Sequence, residues 1–241
     1  MTSVAQKQFS FGTVISQSFS VFFSNLVPFC LVALILMAPL LVYDLLVGAP
    51  TGGSFSSGQL LAYVIQSVLS QLLVATISFA TFQYLRGQPV GIGECLSRGL
   101  SLILPVIGVA ILTGLLVGIG TILLIIPGII VAVMLWVAIP VAVVERPGVT
   151  DSLKRSADLT KGYRWTIFGI VLAIGIILAI IGGILSAILV AAIGFTGFSI
   201  GLWILNAVFG AFSATAAAVG YYFLRATKEG VDIADIAKVF D

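Results

Sequence analysis

Ionisable side chains are densest in residues 145–165, a polar stretch between two long apolar runs. On a helix, Asp151 with Arg155 and Lys154 with Asp158 would form i,i+4 pairs, so much of this charge can be matched internally. The unmatched remainder is basic, which favours contact with lipid phosphates or with an acidic surface of a partner protein. The predicted contact residues are Arg146, Lys154, Arg155, Lys161 and Arg164.

The carboxylates in this stretch could in principle perform acid–base catalysis. No nucleophile, set of metal ligands or cofactor loop accompanies them, as an active site would require. The chain also contains no His, the usual general base and the commonest metal ligand. We therefore predict a non-enzymatic protein without catalytic residues, metal or cofactor.

A second set of polar side chains interrupts the apolar run at residues 60–85. An unpaired amide in hydrocarbon costs about 2–7 kcal/mol, so Gln66, Ser70 and Gln71 need partners. Hydrogen bonds between helices of a bundle would supply them, and so would a polar cavity or permeation path. Asn206 could face the same cluster, which gives Gln66, Ser70, Gln71 and Asn206 as the candidate cavity lining.

The composition identifies the solvent that these groups meet. Hydrophobic residues make up 60% of the 241 and charged residues 8%, whereas a soluble domain has about 45–50% and about 25%. A water-soluble core is excluded, and we predict one all-α membrane domain over residues 1–241. The net charge of +2 is too small to indicate nucleic-acid binding.

Six apolar runs are long enough to cross the roughly 30 Å hydrocarbon layer, which needs about 20 helical residues. No charge separates the third run from the fourth, so we place their turn at the breakers between Gly118 and Gly128. Pro127 would then stand in the first turn of the fourth helix, where its missing N–H is harmless. The predicted spans are Leu26–Leu46, Leu60–Leu85, Leu100–Gly118, Pro127–Val144, Trp165–Ala192 and Ile200–Leu224.

The distribution of cations predicts the orientation. All eleven Lys and Arg residues lie outside these spans, and the connections 47–58, 119–128 and 194–199 contain none. Under the positive-inside rule, both termini, the basic connections and the tail 225–241 are cytoplasmic.

Three segments before hairpins have the pattern of helices that lie in the membrane interface. Residues 10–24 place aromatic anchors at helical spacing, and residues 91–99 and 148–164 are similar. In the last segment, Thr150 or Asp151 is the predicted N-cap, and Val149, Leu153 and Leu159 form the apolar side. The arrangement favours a threefold repeat of surface helix plus transmembrane hairpin, and residues 228–240 could form one more short helix. The predicted anchors are Phe11, Phe19, Phe22 and Phe23.

Small residues recur at every fourth position in the last two spans, a pattern that lets helix backbones approach closely. The spacing does not distinguish packing within the bundle from packing between protomers. The two stripes are Ala179, Gly183, Ala187 and Ala191, and then Gly210, Ala214 and Ala218.

One part of the chain resembles a known family. The residues Ile126-Pro-Gly-Ile, Trp136, Pro140, Glu145 and the run from Ser152 to Trp165 resemble the YciC-like family of bacterial integral membrane proteins. The same resemblance extends to the membrane domain joined to some glycerophosphoryl diester phosphodiesterases. It implies a six-helix protein of the bacterial inner membrane and carries over no catalytic residue.

Three functions are compatible with these patterns. The favoured one is a protein that engages or shapes the cytoplasmic leaflet through anionic lipid headgroups, or forms a scaffold by self-association as a homo-oligomer. A passive channel or carrier for a neutral or lipid-like solute, lined by the glutamines, is the first alternative. An accessory subunit that docks a partner enzyme through residues 145–165 is the second.

Overall fold

The computed structural model describes residues 8–47 and 57–230, and this part of the chain is all-α. Its nine helices are α1 (Phe11–Ser24), α2 (Leu26–Val47), α3 (Ser57–Leu85), α4 (Ile92–Ser101), α5 (Ile103–Leu123), α6 (Ile125–Met134), α7 (Ala138–Val144), α8 (Val149–Thr160) and α9 (Arg164–Glu229). The predicted helix in residues 228–240 lies almost wholly outside the described residues.

Six segments are long and apolar enough to cross a membrane, which confirms the predicted number. They are Leu26–Leu46, Ala62–Leu85, Ile103–Leu123, Ile125–Val144, Arg164–Ala192 and Ile200–Glu229. The molecule is therefore built as a multi-pass membrane protein.

Helix α9 is a hairpin with two arms, Arg164–Ala192 and Ile200–Glu229. A straight helix of its 66 residues would be about 100 Å long. Yet Phe9 reaches both of its ends, since its ring lies 5.2 Å from that of Tyr163 and its N–H donates to Thr227 Oγ1 at 2.8 Å. The chain must therefore reverse between the arms, as the sequence predicted.

The turn between α5 and α6 is tighter than the sequence indicated. Only Leu124 leaves the helical conformation, with φ −163° and ψ 143°, so a turn spread from residue 118 to residue 128 was wrong. The glycines serve close packing instead, because a Cβ on Gly120 would lie 3.1 Å from Gly128 Cα. Pro127 does lie in the first turn of α6, as predicted.

The fourth span is broken between α6 and α7. Ala138 N–H donates to Leu135 O at 3.0 Å, which leaves the Met134 carbonyl without its usual partner four residues on. Ser156 Oγ and Thr160 Oγ1 of α8 donate to that carbonyl at 2.8 and 3.2 Å. Backbone groups released inside a membrane protein need such partners, so the break and α8 form one unit.

Helices α1, α4 and α8 each precede a hairpin, which gives the predicted order of surface helix plus hairpin three times. All three begin near the same end of the bundle. The predicted position of α1 in the interface was wrong, however, because Phe19 already contacts Phe212, fifteen residues before Thr227, so α1 runs along the second arm of α9. The chain just before α1 contacts both ends of α9, Cys95 of α4 lies 3.8 Å from Gln83 near the end of α3, and Lys228 of α9 donates to Asp158 O of α8. We call this end the basic side.

The surface helices pack against protein more than the sequence predicted. Phe22 is buried and Phe19 lies 4.7 Å from Phe212, whereas Phe11 and Phe23 are exposed, so the predicted anchor set is divided. Helix α1 packs along α9 and therefore shows lipid only part of its apolar face. The same holds for α4, in which Cys95 and Gly99 are buried against α3.

Helix α8 departs from the prediction at its start and in its packing. Its N-cap is Gly148 at φ 103°, without a side-chain cap, so Thr150 and Asp151 were wrong. Leu153 and Leu159 are buried within the protein rather than facing lipid. The physical reason is that α8 turns its hydroxyls toward the break in the fourth span and carries these leucines inward with them.

The two stripes of small residues have different environments. Ala214 and Ala218 are fully buried, and Gly210 lies against Leu73, so the stripe on the second arm serves internal packing. The stripe on the first arm is exposed at all four positions, Ala179, Gly183, Ala187 and Ala191.

Candidate functional site

Four charged side chains on the basic side form a closed ion-pair network. Arg155 Nε lies 2.8 Å from Glu145 Oε2, and Arg155 also pairs with Glu229. Arg225 Nε lies 3.0 Å from Glu229 Oε2 and 3.6 Å from Glu145 Oε1. The network therefore joins the end of α7, the middle of α8 and the end of α9.

Tyr221 completes this network from the interior. Its hydroxyl donates to Glu145 Oε1 at 2.9 Å and accepts from Arg225 Nη1 at 3.2 Å. Its ring is fully buried, with the ring of Phe82 at 5.7 Å. Two acids and two bases cancel in charge, and both carboxylates are engaged by guanidinium groups.

The network explains why the predicted i,i+4 pairs are absent. Burial lowers the pKa of Arg155, but its hydrogen bonds to Glu145 and Glu229 outweigh that effect, and the pKa is raised overall. Because Arg155 is bound to Glu145 and Glu229, Asp151 pairs instead with Lys154 at 3.4 Å, and both of these side chains are exposed. The predicted pairs were wrong because Arg155 pairs instead with Glu145 and with Glu229, and sequence spacing cannot reveal a partner 74 residues away.

Three other cations gather where α8 ends and both ends of α9 meet. We call Lys161, Arg164 and Lys228 the basic cluster. The Lys228 ammonium is close enough to the other two, and to Arg155, for their positive charges to repel it, while Asp158 attracts it. Lys161 is exposed and Arg164 is half-buried. The sequence predicted Lys161 and Arg164 as contact residues but missed Lys228, which only the α9 hairpin brings beside them.

The remaining predicted contact residues, Arg146 and Lys154, are exposed on the basic side. Arg146 adopts a positive φ of 49°, at the turn that leads from α7 to α8. Their exposure leaves them available to an anionic surface.

An apolar groove of about 500 Å³ lies between α6 and the first arm of α9. Its wall on the fourth span is formed by Ile129, Ala132, Val133 and Trp136, and its wall on the first arm by Phe168, Val171, Leu172, Gly175, Ile176 and Ala179. Gly175 and Ala179 lack large side chains, so the helix surface is lower there than at the flanking positions. No pattern in the sequence predicts this groove, because it depends on how two helices that are distant in the sequence pack against each other.

The candidate cavity lining lies elsewhere. Gln66 and Asn206 are exposed, and Ser70 and Gln71 are half-buried. Asn206 Nδ2 donates to Leu202 O of its own helix at 2.9 Å. A polar path along these residues therefore stays a prediction.

Trp165 is an aromatic anchor that the sequence analysis overlooked. Its side chain is 86% exposed and lies next to Arg164 at the start of α9. Trp at the end of a membrane span is typical of the interface, where an amphipathic ring sits at headgroup level.

Reactive groups are few in the described part of the chain. Burial, and secondarily the charge of Glu94, raise the pKa of the Cys95 thiol to about 11, so it is protonated at neutral pH, whereas the thiolate is the reactive form. Within residues 8–47 and 57–230, no group of three or more Cys, Asp or Glu side chains could hold a metal ion.

Comparison with known proteins adds no assignment. No family model, no curated protein and no solved structure matches this chain. Its function has to be inferred from the geometry of the basic side and the groove.

Proposed function

We propose that this chain is a non-enzymatic, multi-pass protein of a bacterial inner membrane that engages and shapes the cytoplasmic leaflet. One observation carries the proposal: exposed aromatic and cationic side chains occur together on the basic side. Phe11 is 46% and Trp165 is 86% exposed, and Arg146, Lys154 and Lys161 are exposed on the same side of the molecule.

The physical argument combines two forces. Aromatic rings at the interface bury apolar area among headgroups, and cations near an anionic leaflet contribute about 1 kcal/mol each. Helices that add area to one leaflet only favour bending of the membrane. The resemblance to YciC-like proteins agrees with this location.

The two alternatives have less support. A carrier lined by glutamines would place Gln66 and Asn206 inside the bundle, and both are exposed. An accessory subunit would dock a partner through residues 145–165, but Glu145 and Arg155 are engaged with Glu229, Tyr221 and Arg225.

The proposal is tested by reconstituting the purified chain into vesicles of phosphatidylglycerol and phosphatidylcholine. We expect the wild type to reduce vesicle diameter in cryo-electron micrographs, and the Phe11→Ser/Trp165→Ser variant to do so much less. The control is Leu46→Ser, since Leu46 is 81% exposed at the far end of α2. Vesicles of unchanged diameter at every protein-to-lipid ratio would disprove leaflet shaping.

A further inference from the structure

The apolar groove and the basic cluster lie on one face of the first arm of α9. Arg164 precedes Phe168 by four residues, one helical turn, and Leu172, Gly175 and Ala179 continue the same face. The groove therefore begins directly below a cation and extends away from the basic side.

The other wall of the groove also leads to the basic cluster. Trp136 belongs to the break that separates α6 from α7, and Thr160 donates to the Met134 carbonyl released there. Lys161 is the next residue after Thr160. Both walls thus end at the cluster, which places its charges at the mouth of the groove.

Arg164 is half-buried at this mouth, and one of its donors would reach an anion only after a small movement of the side chain. Its Nε atom is enclosed and has no hydrogen-bond partner among the described residues, although a guanidinium N–H needs an acceptor when it is buried. Around the Lys228 ammonium, Lys161, Arg155 and Arg164 repel and Asp158 attracts, so positive charge is in excess there. An anion with several oxygen acceptors, such as a phosphodiester, matches this arrangement.

The groove has the length of one leaflet. The eleven steps from Phe168 to Ala179 rise about 17 Å along the helix, and half of the hydrocarbon layer is about 15 Å. Its lining offers no charged side chain and no amide. An extended peptide would leave its backbone groups unpaired there, whereas an acyl chain has none to satisfy.

We propose that this groove and the basic cluster form a binding site for one anionic phospholipid, with its phosphate on Arg164, Lys161 and Lys228 and an acyl chain along the groove. The inference rests on the proposed function, because it names the lipid class that the basic side engages. It differs from general attraction to a charged surface because it requires these three cations and this groove.

The headgroup half of the site is tested by native mass spectrometry of protein taken from membranes of equal parts phosphatidylglycerol and phosphatidylcholine. We expect the wild type to retain phosphatidylglycerol. The Lys161→Gln/Arg164→Gln variant should retain at least about tenfold less of it. The matched control, Arg146→Gln/Lys154→Gln, removes the same charge from exposed positions outside the site. Equal loss in both variants would overturn the site while leaving general leaflet engagement intact.

The acyl-chain half is tested by filling the groove. A Cβ added at Gly175 or at Gly183 meets nothing within 4 Å, so both Gly175→Leu and Gly183→Leu should fold. Only Gly175 lines the groove, so we expect Gly175→Leu to lose the retained lipid and Gly183→Leu to keep it.

The occupant could instead be a second copy of this chain, packed along the exposed stripe of small residues. In that case both leucine variants would dissociate a dimer in mass spectra, and the lipid site would be wrong. Failure of the proposed function gives a different result: phosphatidylglycerol is retained by the wild type, but vesicle diameters do not change.

Discussion

Glu145 is the side chain on which three parts of the basic side converge. It follows the last residue of α7, pairs with Arg155 of α8 and Arg225 of α9, and accepts a hydrogen bond from the Tyr221 hydroxyl. Its side chain is 19% exposed, so water screens these interactions only partly. The network therefore stabilises the packing of α7, α8 and α9 more than a fully exposed ion pair would.

We predict that Glu145→Gln lowers the free energy of unfolding by about 1–3 kcal/mol. Loss of one partner from a partly buried network leaves two guanidinium groups with a single carboxylate, which costs less than the 3–5 kcal/mol of a fully buried pair. Thermal unfolding in detergent measures the effect.

The control is Asp151→Asn, which removes the exposed pair with Lys154 and should change stability by under about 1 kcal/mol. The double variant Glu145→Gln/Arg225→Gln removes one charge of each sign and should recover part of the loss. A Glu145→Gln protein as stable as the Asp151→Asn protein would show that the network adds no stability.

At the scale of elements, α8 and the break in the fourth span depend on each other. The sequence pattern of α8 has polar and apolar sides, which is typical of a helix at an interface. Its hydroxyls nevertheless donate to a carbonyl inside the bundle. Pro140, in the first turn of α7, favours a break before that helix because it has no N–H, but it does not identify the Met134 carbonyl as the group released.

We predict that Ser156→Ala/Thr160→Val destabilises the protein by more than the sum of the two single changes. Each single variant leaves one donor on Met134 O, whereas the double variant leaves the buried carbonyl unpaired at a cost of about 1–3 kcal/mol. Hydrogen exchange of the α8 amides should accelerate in the double variant. The control is Thr150→Val, at an exposed position of the same helix, whose α8 amides should exchange at the wild-type rate. A wild-type rate in the double variant would show that other groups bond the Met134 carbonyl.

At the scale of the whole molecule, the sequence predicted those features that the membrane requires of any protein that crosses it. The required span length and the placement of Lys and Arg predicted six spans, and the hairpins at residues 103–144 and 164–229 agree with them. Local breakers were less reliable: Gly118 and Gly120 stay helical in α5, and Gly120 serves the close packing of α5 against α6, which needs glycine as much as a turn does. The groove and the basic cluster could not be predicted, since each requires contacts between helices far apart in the sequence.

Sidedness is the property of the whole molecule on which the functional proposals depend. Lys154 and Ser97 are exposed on the basic side, and Asp44 is exposed near the other end of α2. In a variant without Cys30 and Cys95, we expect a membrane-impermeant maleimide added to intact cells to label Asp44→Cys but neither Lys154→Cys nor Ser97→Cys. All three should be labelled after the cells are opened, because each side chain is exposed. Labelling of Lys154→Cys in intact cells would place the basic side outside the cytoplasm. The cations would then face the opposite leaflet from the one that the positive-inside rule assigns to them, and the proposed engagement of the cytoplasmic leaflet would be wrong.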